Sequence, residues 1–259
     1  MKLRTIVKIN LGLDIIRRRE DGFHELESVF YPFDGFGDEV EIEPSESMSV
    51  VIDGPSYTGW NPDKDLSVKA YNILKEEFGL PAVIIRLHKT APVGAGLGGG
   101  SADAVATLRL CNYLFSLGLD DSALEGFASR LGSDCPFFVK AKPVFASGRG
   151  EILEGIDLDL SAYSIRVEVP AGFAVGTAEA YASLDLPALR EVRERRGPLR
   201  EIISLPPERW KNLLHNDFEP SIIARYPQIG ELKRKMYDEG ALYASMSGSG
   251  SAVYGIFGK

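Results

Sequence analysis

Two rhythms of apolar residues run along the chain. Residues 5–13 alternate, with Val7, Ile9, Leu11 and Leu13 on one side and Lys8, Asn10 and Gly12 on the other, the period of a half-buried strand. In that strand Lys8 and Asn10 stand side by side on the face away from the core. Residues 39–43, 48–52 and 82–89 read as further strands, the last leading into a glycine-rich segment. The helical rhythm begins with Leu66, Ala70, Ile73 and Leu74, which predict a helix over about 66–78 closed by Gly79. Ala104, Leu108, Cys111 and Phe115 predict a second helix ending near Gly118, and Leu124, Phe127, Ala128 and Leu131 a third ending at Gly132. The run CPFFV (135–139) reads as an extended segment. Beyond residue 155 the pattern restarts with a strand at 164–169, a charged helical stretch over about 178–214, a helix over 228–239 ending at Gly240 and a strand at 251–257. Strands and helices mix without regular βαβ alternation, which predicts an α+β fold rather than a doubly wound sheet. The restart predicts two domains, 1–155 and 156–259.

Composition narrows the function classes. The 259 residues are 44% hydrophobic and 25% charged, ordinary for a folded domain, with no repeat or low-complexity segment. Two cysteines, Cys111 and Cys135, make neither a disulfide framework nor a zinc pattern and suggest a reducing, cytoplasmic setting. Lysines or arginines at 2, 4 and 8 interrupt any signal-peptide core, and no apolar run approaches a membrane span. A net charge of −8 argues against nucleic acid as a partner. A small anionic substrate would need locally placed cations and backbone N–H groups.

Such groups are concentrated in KTAPVGAGLGGGSADAV (89–105), which has five glycines between Gly94 and Gly100. Gly94, Gly96 and Gly99 satisfy GxGxxG, but Asp120 and Asp121, near the offset of a Rossmann acid, open a helix instead. No Lys-Ser/Thr pair closes the run, which excludes a Walker loop. Ser101 is placed to cap the following helix, leaving first-turn N–H groups and the positive dipole end for an anion. The glycines cost chain entropy with no packing return, so the loop reads as a phosphate cradle rather than a tight turn. Asp103 would repel a phosphate, so it must point away or sit beside a metal. Elsewhere, Asp134 before Cys135-Pro136 reads first as a turn residue capping backbone N–H groups, with a catalytic base as the alternative. His88 and His215 read as surface or satisfied core residues, and Arg17–Arg19 as a solvated basic loop.

PVGAGLGGGSADAV (92–105) resembles the phosphate-loop motif P-x-G-x-G-L-G-G-G-S-S-D-A-A of the GHMP kinase superfamily. KINLGLDIIRRREDGFHELESVFYP (8–32), LGSDCPFFV (131–139), GRGEIL (148–153), GTAEAYASLD (176–185), NDFEP (216–220) and MSGSGSAVYGIF (246–257) resemble, in order, motifs of the branch that phosphorylates 4-diphosphocytidyl-2-C-methyl-D-erythritol. The resemblance implies a two-domain α+β fold with the active site between the domains. It implies ATP-dependent phosphorylation of that substrate's 2-hydroxyl, with magnesium, in the non-mevalonate route to isoprenoid precursors. It makes Asp134 the base and Lys8 its cationic partner. It assigns the ATP phosphates to Pro92, Gly94, Gly96, Leu97, Gly98, Gly99, Gly100 and Ser101, and puts Asp65 near the adenine. It assigns substrate to Asn10, Thr177, Gly248, Ser249 and Gly250, with His24, Phe23 and Tyr181 around the cytosine. Four positions depart from the pattern: Phe23 stands for tyrosine, Ala102 and Gly176 for serine, and Asp65 for asparagine. No metal ligand and no oligomeric state is read from the sequence. Homoserine, mevalonate and galactose kinases share the superfamily, but their substrates carry no base for His24 and Tyr181. A catalytically silent sensor is the rival from another class, and Lys8 with Asp134 argues against it.

Overall fold

The computed structural model describes residues 1–170 and 175–259. In chain order its strands are β1 (Lys2–Arg4), β2 (Val7–Arg18), β3 (His24–Phe33), β4 (Glu39–Pro44), β5 (Ser49–Asp53), β6 (Val83–His88), β7 (Val144–Ser147), β8 (Ile152–Gly155), β9 (Tyr163–Glu168), β10 (Tyr243–Met246) and β11 (Val253–Gly258). The helices are α1 (Leu66–Phe78), α2 (Gly99–Leu114), α3 (Asp121–Ser129), α4 (Phe137–Lys140), α5 (Thr177–Ala182), α6 (Leu186–Arg196), α7 (Leu199–Ile203), α8 (Glu219–Arg225) and α9 (Pro227–Asp238). This is the α+β mixture expected. The chain forms two compact units whose membership does not follow chain order. The first holds Met1–Lys8, Pro32–Val93 and Gly98–Lys142, and the second Ile9–Tyr31, Gly94–Leu97 and Pro143–Lys259.

In the first unit a four-stranded sheet runs β1-β4-β6-β5, with β5 parallel to β6 and the other pairs antiparallel. Along β6, Val83, Ile85 and Leu87 turn inward while Ile84 and Arg86 are less buried, the alternation a one-sided sheet requires. Helix α2 packs on α1 and on β4. Helix α1 buries Val68, Ala70, Tyr71 and Leu74; Asp65 caps its start and Gly79, left-handed at φ 65°, closes it as expected. In the second unit the sheets run β2-β3-β7-β8 and β10-β11-β9. Helix α9 lies on β10 and β11, enclosing a core that includes Ile15, Phe218, Ile222, Ile229, Met236 and Met246.

Several local expectations change. Strand β2 is twelve residues long and buried on both faces through Ile15. Its face bearing Lys8 and Asn10 is therefore interior, and Arg17 and Arg18 end a strand rather than forming a loop. CPFFV is helical from Phe137, because a continuous apolar run has no period to distinguish strand from helix, and Pro136 suits a helix start. The stretch 178–214 is broken into α5, α6, α7 and a 3-10 turn at Pro207–Arg209. Pro187 opens α6, and Gly197-Pro198 separates α6 from α7.

Candidate active site

In the first unit the glycine loop enters α2. Gly98, at φ 74°, is the N-cap, and the first helical bond runs from Ala102 N–H to Gly98 C=O at 3.0 Å. Ser101 therefore lies inside the first turn and is not the cap. Gly98, in the left-handed region, turns the chain into the helix, and no side chain caps it. The N–H groups of Gly99, Gly100 and Ser101 then precede the helical ladder, at the positive end of a sixteen-residue helix. A Cβ on Gly98 would stand 2.9 Å from the Phe138 ring and 3.5 Å from Lys8 Cε. At Gly99 and Gly100 the nearest atoms would be 3.6 and 3.9 Å away, so packing does not demand glycine at those two positions.

Lys8 runs directly beneath this turn. Its Nζ lies 3.4 Å from Asp134 Oδ2, with the lysine side chain 5% exposed and the aspartate 36%. A buried lysine head beside a half-open carboxylate is not a solvated edge residue. Asp134 sits in a turn between α3 and α4, where Cys135 N–H bonds Gly132 C=O at 3.2 Å. The sequence thus brings Lys8, Gly98 and Asp134 together from three separate segments.

Asp103 is held in an interior ion cluster. It is fully buried and, with Asp38, shares the Lys89 ammonium. Burial raises the Asp103 carboxyl above its ordinary range, against the pull of Lys89. Asp38 Oδ1 also accepts the N–H groups of Thr90 and Ala91, at 2.6 and 2.8 Å, and so holds the chain just before Pro92. Sequence reading missed this cluster; Lys89 adjoins the loop, but nothing local marks Asp38. Asp65 is engaged within the fold, one carboxylate oxygen capping Ser67 N–H at 2.9 Å and the other accepting Trp60 Nε1–H at 3.3 Å.

In the second unit, Gly94–Leu97 is stitched to the turn between β10 and β11. Ser247 Oγ–H donates to Gly96 C=O at 3.0 Å, and Ala252 N–H to Ala95 C=O at 3.1 Å. A Cβ on Gly96, at φ 78°, would come within 2.1 Å of Ser247 O. The absence of any packing return, expected of all five glycines, therefore fails at Gly96 and Gly98. Leu97 is buried at 1% exposure, an apolar anchor for the loop. Asn10 is also interior: its side-chain amide donates to Ser28 Oγ at 2.9 Å, and its backbone N–H to Ser247 Oγ at 3.2 Å. Gly250 gives its N–H to Ser247 C=O, and Asn216 holds the carbonyls of Met246 and Gly248, each at 2.8 Å. The Ser249 and Thr177 hydroxyls meet at 3.4 Å.

His24 and Tyr181 stack at 4.7 Å between ring centroids, 22° from parallel, and Phe218 supports Tyr181 edge-on at 4.9 Å. They border a pocket of about 470 Å³ shared with Arg18, Ala178, Leu184 and Leu186. Burial first, and then the Arg18 charge, hold His24 below the usual imidazole range. Phe23 is 55% exposed and stands 4.5 Å beneath the Arg149 guanidinium, so the ring found against Tyr181 is that of His24. Arg18 was missed as a pocket residue because a three-arginine run does not show which member faces inward.

Comparison with known proteins places this geometry in a family. The family described as GHMP kinases N terminal domain matches residues 65–142, and GHMP kinases C terminal matches residues 188–259. The 4-diphosphocytidyl-2-C-methyl-D-erythritol kinase of Azobacteroides pseudotrichonymphae genomovar. CFP2 is 44% identical over 252 residues, covering 97% of this chain and 91% of that protein. A crystal structure of 4-(cytidine 5'-diphospho)-2C-methyl-D-erythritol kinase superposes with a TM-score of 0.79 at 31% identity, over 99% and 90% of the two chains. A homoserine kinase from Cytophaga hutchinsonii, at 19% identity and a TM-score of 0.68 over 98% and 85%, shares the fold. With the phosphate-loop motif, the helix it opens and full-length likeness in agreement, the chain belongs to the 4-diphosphocytidyl-2-C-methyl-D-erythritol kinase family of the GHMP kinases.

Proposed function

We propose that this kinase transfers the terminal phosphoryl group of ATP to the 2-hydroxyl of 4-diphosphocytidyl-2-C-methyl-D-erythritol. The observation that carries the reading is the Lys8–Asp134 pair, 3.4 Å apart, with the lysine stem against Gly98 at the start of α2. The substrate itself is taken from the names of relatives at 44% identity. In this reading the first-turn N–H groups of Gly99, Gly100 and Ser101 hold phosphate oxygens. Asp134 accepts the proton of the attacking hydroxyl, and the Lys8 ammonium offsets charge on the transferred group. His24 and Tyr181 hold the cytosine, while Thr177 and Ser249 face the remainder of the substrate.

Among the described residues no group of three or more His, Cys, Asp or Glu could hold a metal ion. Magnesium, as we read the site, arrives on the nucleotide, since it takes only one or two carboxylates from a protein and keeps phosphate oxygens. Asp134 is paired with Lys8 and Asp103 with Lys89, which leaves the phosphate oxygens to hold the ion. Bound there, magnesium would neutralise phosphate charge. The buried free thiols of Cys111 and Cys135 suit a reducing cytoplasm.

The test is ADP formation with four acceptors in parallel: the cytidylated substrate, methylerythritol phosphate, mevalonate and homoserine. Turnover is expected with the first alone. Asp134→Asn should lower kcat by roughly 10²–10⁴ and leave ATP affinity within about threefold. Near-normal turnover in that variant would remove Asp134 from the chemistry, and turnover with mevalonate or homoserine would refute the cytosine pocket.

A further inference from the structure

Asp38, the residue before β4, lies outside every segment that carried the family likeness, and the proposed chemistry does not use it. It is wholly buried, and its carboxylate holds both flanks of the glycine loop. Oδ1 accepts the N–H groups of Thr90 and Ala91 at 2.6 and 2.8 Å, which fixes the chain entering the loop. Oδ2 takes the Lys89 ammonium, and the same ammonium reaches Asp103 in the second turn of α2. The two flanks meet at this point: a Cβ on Gly99 would stand 3.6 Å from both Ala91 Cβ and Asp38 Oδ2. Asp38 is itself pinned. Its N–H donates to Thr5 Oγ1 at 2.9 Å, and its C=O accepts Thr5 N–H at 2.8 Å.

Apolar side chains of similar volume often replace a buried ion cluster with no loss of stability, so stability alone does not account for this one. What the cluster supplies is geometry. Charge-assisted hydrogen bonds are short and directional. Here they tie the flank after β6 to the flank in α2, across glycines whose own backbone restrains little. The N–H groups of Gly99, Gly100 and Ser101 are thereby set before an anion arrives, and a bound phosphate is spared the cost of ordering them. Resting on the kinase reading above, we infer that Asp38 is a positioning residue for phosphoryl transfer: with Lys89 and Asp103 it braces the first turn of α2 to receive the phosphates of the nucleotide.

The experiment measures ATP affinity by calorimetry, and KM for ATP and for 4-diphosphocytidyl-methylerythritol, in wild type, Asp38→Asn and Asp103→Leu. Each is assayed at a temperature where circular dichroism shows it folded. Asparagine keeps the volume of Asp38 but has one acceptor oxygen, so its NH2 group must face either Lys89 or the two backbone N–H groups. Asp103→Leu cuts only the tie to α2 and leaves a neutral Lys89–Asp38 pair, so it decides the question should Asp38→Asn not fold. Both variants should weaken ATP binding by about ten- to hundredfold, the cost of a group misplaced by about 1 Å, with KM for the cytidylated substrate within about threefold. A lower melting temperature with ATP affinity unchanged, in either variant, overturns the inference and leaves Asp38 a residue of the fold alone. An equal loss for both substrates overturns it too, since it would report a general loosening. Wild type that binds no ATP would refute the kinase reading itself, a result distinct from variants that bind ATP as wild type does.

Discussion

Replacing Asp217 with asparagine should change how stability depends on pH. Asp217 lies just before α8, is 6% exposed, and accepts Ile15 N–H on Oδ2 at 2.7 Å. Burial pushes its carboxyl up to about 7, from 3.8 for the free side chain. The Ile15 N–H, Arg196 and Arg193 oppose that rise, and Asp14 adds to it. The folded protein therefore holds a proton on Asp217 between about pH 4 and 7 that the unfolded chain has lost. Its contribution to stability is fully present below pH 4 and is lost as pH rises through 7, at about 1.4 kcal/mol per unit. Over the interval that amounts to about 4 kcal/mol. Asparagine keeps an acceptor for Ile15 and does not titrate. The difference in unfolding free energy, Asp217→Asn minus wild type, should thus climb by about 4 kcal/mol from pH 4 to 8 and level off. Urea unfolding followed through the buried Trp210 reads it directly. Parallel stability profiles, or a difference that falls with pH, would refute the reasoning and mean that the arginines hold Asp217 ionised in the fold.

The glycine loop allows a paired test. Gly96→Ala puts a Cβ 2.1 Å from Ser247 O at a positive φ and should destabilise the fold by about 2–4 kcal/mol in urea unfolding. Gly100→Ala, in the first turn of α2 with the added Cβ in ordinary contact at 3.9 Å from Leu66 Cδ1, should stabilise it by about 0.5–1 kcal/mol. The same variant should raise the KM for ATP; an unchanged KM would take phosphate away from Gly100. Lys89→Met leaves Asp38 and Asp103 buried without their shared cation and should lower stability by about 3–5 kcal/mol. Thermal unfolding within a degree or two of wild type would show that the two carboxylates share a proton instead.

Much of the fold was legible wherever one face is apolar and the ends carry their own signals. Helix α1 falls where Leu66, Ala70, Ile73 and Leu74 put it, because Asp65 and Gly79 are chemically suited to its two ends. Strands β4, β5, β6, β9 and β11 were legible for the same kind of reason, a short alternating or apolar run between breakers. Strand β3 was not, since HELESVFYPF mixes charged, aromatic and proline residues and shows no clean period until its neighbours bury it. CPFFV failed for the opposite reason, being apolar throughout. The site divides similarly. The loop motif and the order of seven segments carried the family, and with it the nomination of Lys8, Asp134, His24 and Tyr181.

The sequence by itself determined the chemistry on offer: a glycine loop running into a long helix, one candidate carboxylate before a proline, one lysine on an alternating strand. Local composition carries that information because backbone freedom and charge belong to the residue. Only the tertiary structure decided which of these groups meet. It buried Lys8 beside Gly98 and Asp134, turned Asp103 inward onto Lys89, and gave Gly96 to the Ser247 turn. It also left Arg18, alone of three adjacent arginines, without an ion pair among the described residues, at the pocket lined by His24 and Tyr181. Those outcomes depend on contacts between residues far apart in the chain, and a distance between such residues is fixed by packing, which no local pattern encodes.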